Sequence, residues 1–288
     1  MATILGERVE ELRLDRRHGA SWMARRAVEA LVDVAGQDAT TGEEMLANLV
    51  AAGRKLAGSR PGVGAVAGAV GRLLAAAKRH EQLEPDQLRQ LIGEEAEGLI
   101  EGRRRAAASI AIQLQDRLSE AVVLTHSASA TVREALVHSP PERVICTVSS
   151  PQDEGRVFAA DLRAEGLDLD LVEDANAPAE LQWASLLLVG ADTVFRCGTL
   201  CNKAGTRVLA EAAATVSVPT IVACEVIKLA PIEASAVRGL NAEELDLTPP
   251  ELIDSIVTEE GAYPASEIRA LVDRTPFLKE GYALLSSG

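Results

Sequence analysis

The second half of the sequence alternates short apolar runs with stretches of helical spacing, and this alternation constrains the fold more than any other feature. The runs, four to six residues long, are Ala121–Thr125, Arg143–Val148, Leu169–Val172, Leu186–Val189 and Thr220–Ala223. The helical stretches between them are Ala130–Val137, Arg156–Glu165 and Gly205–Thr215. Mostly apolar strands separated by helices predict a parallel sheet that is covered on both faces. In such sheets the functional residues gather at the carboxyl ends of the strands.

Residues 1–118, in contrast, show helical spacing and almost no strand signal. Val28, Leu31 and Val32 follow Ala24 and Ala27 by one turn, which predicts an amphipathic helix. Three further helices are predicted, over Gly42–Leu56, Pro61–Arg79 and Pro85–Leu118. The predicted fold is therefore α/β, with an N-terminal all-α domain over residues 1–118 and a parallel-sheet domain over residues 119–288.

The charge and the aromatic content limit the partners of this chain. Its 29 Lys and Arg against 43 Asp and Glu give a formal net charge of −14, and aromatic residues make up 2%. An acidic field repels phosphate backbones, and few aromatic side chains can stack on bases, so direct nucleic-acid binding is not expected. The basic run Arg103-Arg104-Arg105 is interpreted as a solvated helix face.

Sequence signals for membranes, secretion and metals are missing. The longest uncharged run, Ala212–Cys224, has 13 residues, whereas a transmembrane helix needs about 20. The N-terminus has no apolar signal core, so we expect a cytoplasmic protein with reduced cysteines. Cys197 and Cys201 have no second pair at zinc-ligand spacing, and the sequence has neither a Walker loop nor a dinucleotide motif. We expect no metal and no cofactor.

Polar side chains follow the predicted strands at their carboxyl ends. They are Thr125, His126, Ser127 and Ser129 after the first strand, Asp192 after the fourth and Lys228 after the fifth. Asn202 and Lys203 precede Gly205-Thr206, which opens a predicted helix. Backbone N–H groups at a helix start, together with an ammonium group, suit a phosphate. The hydroxyls and backbone donors of the Thr125–Ser127 turn suit an anion in the same way.

Each of these features also has a purely structural interpretation. Asn202 and Lys203 would then belong to a capped helix with an exposed lysine, and Ser127 or Ser129 would be the N-cap of the next helix. Asp192 is either an acid–base group whose pKa is raised by burial or an aspartate that caps a turn. Lys228 is either a second cation for a phosphate or a surface residue.

In combination and in this order, the segments resemble the family of the alpha, beta and delta subunits of translation initiation factor 2B. That family also contains ribose-1,5-bisphosphate isomerase and methylthioribose-1-phosphate isomerase. The matching segments are Leu124–His126, Gly190–Asp192, Asn202–Lys203 with Gly205–Thr206, Glu225 with Lys228, Thr248–Glu251, Thr258–Gly261, Asp15 with Gly19–Ala20, and Ser59–Pro61. The resemblance spans essentially the whole chain. It implies a helical N-terminal domain, a Rossmann-like C-terminal domain and a ligand cleft between them, to which Gly19, Ala20 and Arg60 contribute.

Two departures from the family pattern bear on catalysis. The isomerases carry Thr-His-Cys after the first strand, and the cysteine is their proposed acid–base residue, whereas this chain has Ser127. A serine hydroxyl needs an adjacent base, and the neighbouring His126 is poorly placed because successive side chains point in different directions. The isomerases also carry Glu-x-Arg-Pro after the second strand. Here Val148 replaces the glutamate and Ser150 replaces the arginine, which removes a guanidinium that could hold a phosphate.

Three functions remain compatible with the sequence. The first is a regulatory or assembly protein of the initiation-factor-2B type, without catalysis, that binds a sugar phosphate or a nucleotide phosphate. The alternative is an aldose–ketose isomerase of the ribose-1,5-bisphosphate or methylthioribose-1-phosphate type, in which Asp192 and Ser127 are the acid–base pair. The third is a purely structural oligomer. The resemblance also implies a homodimer or an assembly of dimers.

Overall fold

The structure is a computed structural model that describes residues 4–16 and 18–286. Five helices form the N-terminal region: α1 (Ile4–Leu14), α2 (Ala20–Ala35), α3 (Gly42–Gly58), α4 (Gly64–Arg79) and α5 (Pro85–Leu118). Their apolar faces, made largely of Ala, Val and Leu, pack into one hydrophobic core. The bounds of α5 are those predicted from the sequence, with Pro85 in the first turn, where a helix needs no N–H group.

The rest of the chain forms two sheets with flanking helices. In chain order the elements are β1 (Val122–Thr125), α6 (Ala130–His138), β2 (Arg143–Thr147), α7 (Glu154–Ala164), β3 (Leu169–Val172), α8 (Ala177–Glu180), β4 (Leu186–Val189), β5 (Thr193–Phe195), β6 (Leu200–Lys203), α9 (Thr206–Thr215), β7 (Thr220–Ala223), β8 (Leu229–Ala230), β9 (Leu245–Thr248), β10 (Ser255–Thr258), β11 (Gly261–Tyr263), α10 (Ile268–Asp273) and α11 (Pro276–Ser286). The larger sheet has the strand order β11-β10-β7-β4-β1-β2-β3 and is parallel except between β10 and β11. The predicted fold, a helical region followed by a mostly parallel α/β sheet, is confirmed.

The smaller sheet was not predicted. Its order is β8-β5-β6-β9, with β6 antiparallel to both of its neighbours. The predicted helix after this segment begins at Thr206, one residue after its predicted start, and Asn202 and Lys203, which were predicted only to precede that helix, lie in strand β6. Each pairs with a residue of β9 more than forty positions later, for example Asn202 with Asp246. Short polar strands of this kind are hard to recognise from the local sequence, because pairing with a partner strand that is distant in the chain stabilises them.

Three details of the helical prediction also need correction. Helix α4 begins at Gly64 instead of Pro61, because Gly62 has a left-handed φ of +93° and ends a turn before the helix. Val32, predicted on the apolar face of α2, is 36% exposed. Arg103 is not on a solvated face: it donates to the carbonyl oxygen of Ser21 and lies against Glu225.

The C-terminal helix α11 packs back onto α4 of the N-terminal region. A Cβ atom built at Gly281 would lie 2.5 Å from the Cα atom of Gly71, so the helices cross at a contact that admits only two glycines. Phe277, Leu284 and Leu285 of α11 join the core of the helical region. The domain boundary between residues 118 and 119 stays a prediction.

Over residues 4–16 and 18–286, none of the helices combines the length and the apolar character that crossing a bilayer requires.

Candidate functional site

A cavity of about 290 Å³ opens between the start of α2 and the carboxyl ends of β1, β4 and β6. Most of the predicted site residues line it: Gly19, Ala20, Arg60, His126, Ser127, Ser129, Asp192, Asn202, Lys203 and Lys228. Thr125 is the exception. It is the last residue of β1, is buried, and pairs in register with Cys146 of β2 instead of lining the cavity.

The loop after β1 packs tightly against the end of β4. Ser129 is the N-cap of α6, and its Oγ accepts from the N–H of Val132 at 3.3 Å. A Cβ atom at Gly190 would lie 2.5 Å from that Oγ, so a glycine is required there. The capping interpretation of Ser129 is therefore the one that the structure supports, and the residue still lines the cavity.

His126 is a buried neutral side chain that ties the loop to β2. Its Nε2 lies 3.0 Å from the carbonyl oxygen of Ala204, and its Nδ1 lies 2.7 Å from Oγ1 of Thr147. Because a carbonyl oxygen only accepts, Nε2 carries the proton and Nδ1 accepts from the threonine hydroxyl. Burial lowers the pKa of His126, which favours the neutral ring. Neither ring nitrogen contacts Ser127, so His126 does not activate it.

Ser127 contacts a carboxylate that the sequence prediction did not include. Its Oγ donates to Oε1 of Glu154 at 2.8 Å, and its N–H donates to Oγ of Ser149. The Glu154 carboxylate also pairs with the ammonium of Lys203, at 2.9 Å from Oε1 and 3.1 Å from Oε2. Lys203 donates in addition to Oε1 of Gln152. The lysine expected to hold a phosphate therefore already has an anionic partner.

The start of α9, which was predicted to receive a phosphate, is also occupied. Oδ2 of Asp246 accepts from the N–H of Gly205 at 2.8 Å and from the N–H of Arg207 at 3.1 Å. An aspartate carboxylate thus fills the position at the helix N-terminus that an external anion would take. Asn202, from the same predicted phosphate motif, donates through Nδ2 to Oγ1 of Thr206.

The start of α2 offers open donors to the same cavity. Its N-cap is Gly19, which has no side chain to cap the helix, and the Gly19 carbonyl oxygen accepts from the N–H groups of Trp22 and Met23. Within the described part of the chain, the N–H groups of Ala20 and Ser21 have no hydrogen-bond partner. Uncapped N–H groups and the helix dipole form an anion-binding site.

Lys228 brings a buried ammonium group to the cavity. It follows β7 in a short 3-10 turn, and its Nζ lies 3.0 Å from Oε2 of Glu225, with both side chains 4% exposed. The guanidinium of Arg103 lies 3.6 Å from the other carboxylate oxygen of Glu225. Burial alone would raise the pKa of Glu225, but the two cations outweigh it and lower that pKa to about 2. Glu225 is thus an ionised partner of Lys228.

Arg60 joins the helical region to the loop before β9. One Nη of Arg60 lies 3.0 Å from Oε2 of Glu244, and Nε of Arg16 lies 2.5 Å from Oε1 of the same carboxylate. Arg60 also donates to the carbonyl oxygen of Asp15. Burial lowers the pKa of the Arg60 guanidinium, and Glu244 opposes that shift. These contacts fix Arg60 at the wall of the cavity.

Asp192 lies among the cations of the site. Burial raises the pKa of its carboxyl to about 6, although Lys228, Arg60 and Lys203 each act to lower it. A carboxyl with a pKa in this range can gain or lose a proton near neutral pH, which is what general acid–base chemistry requires. Of the two residues predicted as an acid–base pair, Asp192 is the one with this property.

The raised pKa predicts how Asp192 affects stability. The folded protein holds the carboxyl proton up to about pH 6, and the unfolded chain holds it up to about pH 4. The contribution of Asp192 is therefore fully present below about pH 4 and is lost as pH rises through 6. The stability of Asp192→Asn relative to the natural protein should therefore rise by about 2 kcal/mol between pH 4.5 and pH 7.5, since part of the effect is already present at pH 4.5. Urea unfolding of both proteins at both pH values measures this, and a difference that does not change with pH would contradict it.

Metal binding finds no support in the geometry: across residues 4–16 and 18–286, no group of three or more His, Cys, Asp or Glu side chains is placed to hold an ion. The model of the initiation factor 2 subunit family matches residues 16–243. The chain belongs to this family.

Its relatives in this family include both translation-factor subunits and isomerases. A translation initiation factor eIF-2B subunit 2-like protein of Pyrococcus horikoshii is 31% identical over 273 residues, covering 88% of this chain and 94% of the relative. A ribose 1,5-bisphosphate isomerase of Archaeoglobus fulgidus is 28% identical over 284 residues, covering 90% and 89%. The tetrameric eIF2B beta2-delta2 complex of C. thermophilum has the same fold, with a TM-score of 0.79, 20% identity and 93% coverage of each chain.

Three acidic residues of the site were not predicted from the sequence. They are Glu154, Glu244 and Asp246, and their cationic or N–H partners lie 39 or more positions away in the sequence. Such pairs leave no periodic or local signal. Glu154 alone had an indirect one, since it lies three residues after Pro151, which corresponds to the proline of the Glu-x-Arg-Pro segment.

Proposed function

We propose that this protein binds a phosphorylated small molecule, a sugar phosphate or a nucleotide phosphate, and acts as a regulatory protein without catalysis. The phosphate lies at the start of α2 and is held by the N–H groups of Ala20 and Ser21 and by Lys228, with Arg60 nearby. The observation that supports this most directly is that the uncapped helix start and the buried ammonium line one cavity. The matching relatives named as isomerases of a sugar phosphate agree with this ligand class.

The absence of catalysis is supported by the surroundings of Ser127. Its hydroxyl donates to Glu154, whose two carboxylate oxygens both face the Lys203 ammonium. Proton transfer between two sugar carbons needs one group that removes a proton and another that protonates the carbonyl oxygen. Asp192 supplies one such group. Ser127 is not a second one, because His126 is bonded elsewhere and Glu154 is neutralised by the lysine.

Isomerase activity remains the second candidate, and the raised pKa of Asp192 is what favours it. We expect negligible turnover of ribose 1,5-bisphosphate and methylthioribose 1-phosphate. Ser127→Cys alone should not restore activity, because Ser150 leaves the phosphate-binding arginine missing, whereas Ser127→Cys with Ser150→Arg should give a trace. The test is a binding screen of sugar phosphates and nucleoside monophosphates, followed by a turnover assay on each hit and on these two substrates. A turnover number of about 1 per second or above, the low end for ordinary enzymes, would establish the isomerase instead.

We further propose a cytoplasmic homodimer or an assembly of dimers. The support is the family membership and the tetrameric complex formed by a structural relative. An obligate dimer unfolds at a temperature that depends on protein concentration. Sedimentation as a monomer at micromolar concentration, with no such dependence, would contradict this assignment.

A further inference from the structure

We propose that Glu154 restricts the cavity to ligands with a single phosphate and that the end of the cavity beside Glu154 receives hydroxyl or amino groups. This inference rests on the proposed function, because it assumes that a phosphorylated ligand binds here. It assigns to Glu154 the selection between ligands with one phosphate and ligands with two.

The first argument is that Lys203 is already bonded to Glu154 and Gln152. Its ammonium group donates to Oε2 of Glu154 at 3.1 Å and to Oε1 of Gln152, and it lies 2.9 Å from Oε1 of Glu154. The side chains of Lys203 and Glu154 are 9% and 21% exposed, so water screens the pair only weakly. A phosphate at Lys203 would have to displace the carboxylate and then lie beside it.

The second argument is that the backbone fixes Glu154 in place. The next residue, Gly155, packs so closely on the end of β2 that a Cβ atom there would lie 1.8 Å from the carbonyl oxygen of Thr147. Its N–H donates to the carbonyl oxygen of Val148. Glu154 is the first residue of α7, where the helix dipole favours a negative charge. The hydrogen bond from Ser127 holds the carboxylate on the cavity side.

The third argument is that the two ends of the cavity differ in charge balance. At the α2 end, two cations, Lys228 and Arg103, share the single carboxylate of Glu225, and the Ala20 and Ser21 N–H groups have no partner within residues 4–16 and 18–286. At the Lys203 end, the ammonium is matched by Glu154, and Ser150 provides no cation. A single dianionic phosphate therefore fits the α2 end. Hydroxyl or amino groups fit the other end, where the oxygens of Glu154 and Gln152 accept hydrogen bonds.

The experiment compares ribose 5-phosphate with ribose 1,5-bisphosphate by calorimetry, using the natural protein and Glu154→Gln. Glutamine keeps the size of the side chain and an oxygen that accepts from Ser127 and Lys203, but it removes the charge. The natural protein should bind ribose 5-phosphate more tightly than the bisphosphate. Glu154→Gln should raise the affinity for the bisphosphate on the order of 10- to 100-fold, because a like charge beside the second phosphate is lost. The affinity for ribose 5-phosphate should change by less than about threefold.

The matched control is Glu211→Gln, which removes a glutamate paired with a basic side chain, Arg207, outside the cavity. It should leave both affinities unchanged, and thermal unfolding confirms that each variant is folded. If ribose 5-phosphate binds but Glu154→Gln leaves the bisphosphate affinity unchanged, the role of Glu154 is overturned while the proposed function stands. If neither probe binds to any of the proteins, both the role of Glu154 and the sugar-phosphate form of the proposed function are overturned.

Discussion

Replacing Gly19 with aspartate is expected to weaken binding of ribose 5-phosphate by about 100-fold or more, without loss of stability. The new carboxylate lies at the N-cap of α2, where it accepts from the helix N–H groups that we assign to the phosphate. The backbone tolerates a side chain there, since φ is −75° and a Cβ atom would meet only the carbonyl oxygen of Ala128, at 3.7 Å. An aspartate N-cap is more favourable than glycine by a few tenths of a kcal/mol, about the change expected in the free energy of unfolding.

The control for this experiment is Gly19→Ala, which adds a side chain but no charge and leaves the N–H groups open. Calorimetry with ribose 5-phosphate gives the affinity of each of the three proteins, and urea unfolding gives the free energy of unfolding of each. We expect the affinity for ribose 5-phosphate to fall while the free energy of unfolding stays nearly unchanged. A loss of affinity can therefore not be attributed to unfolding. Equal affinity of the aspartate variant and the natural protein would remove the start of α2 from the phosphate site.

Lys228→Met should lower the free energy of unfolding by about 3 kcal/mol or more, the usual cost of leaving a buried charge without its partner. Glu225 is 3% exposed, and its carboxylate would keep a single cation among the described residues, the guanidinium of Arg103 at 3.6 Å. The double variant Lys228→Met with Glu225→Gln removes both charges and should recover most of the loss. Urea unfolding near neutral pH, well above the pKa of about 2 of the Glu225 carboxyl, measures the difference.

Lys55→Met is the control for this second experiment, because Lys55 is an exposed lysine of α3. It should change the free energy of unfolding by less than about 0.5 kcal/mol. If Lys228→Met changes the free energy of unfolding as little as Lys55→Met does, the buried pair of Lys228 and Glu225 does not stabilise the fold. If the double variant is no more stable than Lys228→Met, the loss comes from packing and not from the unpaired carboxylate.

Local sequence determined the regular elements of this fold. The bounds of α5 and of strands β3, β4 and β7 agree with the apolar patterns, because each of these elements buries a face or a whole strand in a large core. The same patterns located the cavity, since loops after parallel strands meet at one edge of the sheet. The positions of Asp192 and Lys228 at that edge follow from this rule and from the family resemblance.

The charge balance of the cavity was decided by tertiary structure. Lys203 and the start of α9 resemble a phosphate site in the sequence, but Glu154 neutralises the lysine and Asp246 occupies the helix start. Glu154 comes from the start of α7 and Asp246 from β9, and both are distant in the chain from the groups that they contact. Only the folded backbone brings them within hydrogen-bond distance, and only burial makes such ion pairs strong enough to exclude another anion. A short sequence segment shows which hydrogen-bond donors and charged groups it contains. Which of these groups remain unpaired and can bind a ligand depends on all the elements that pack against the segment.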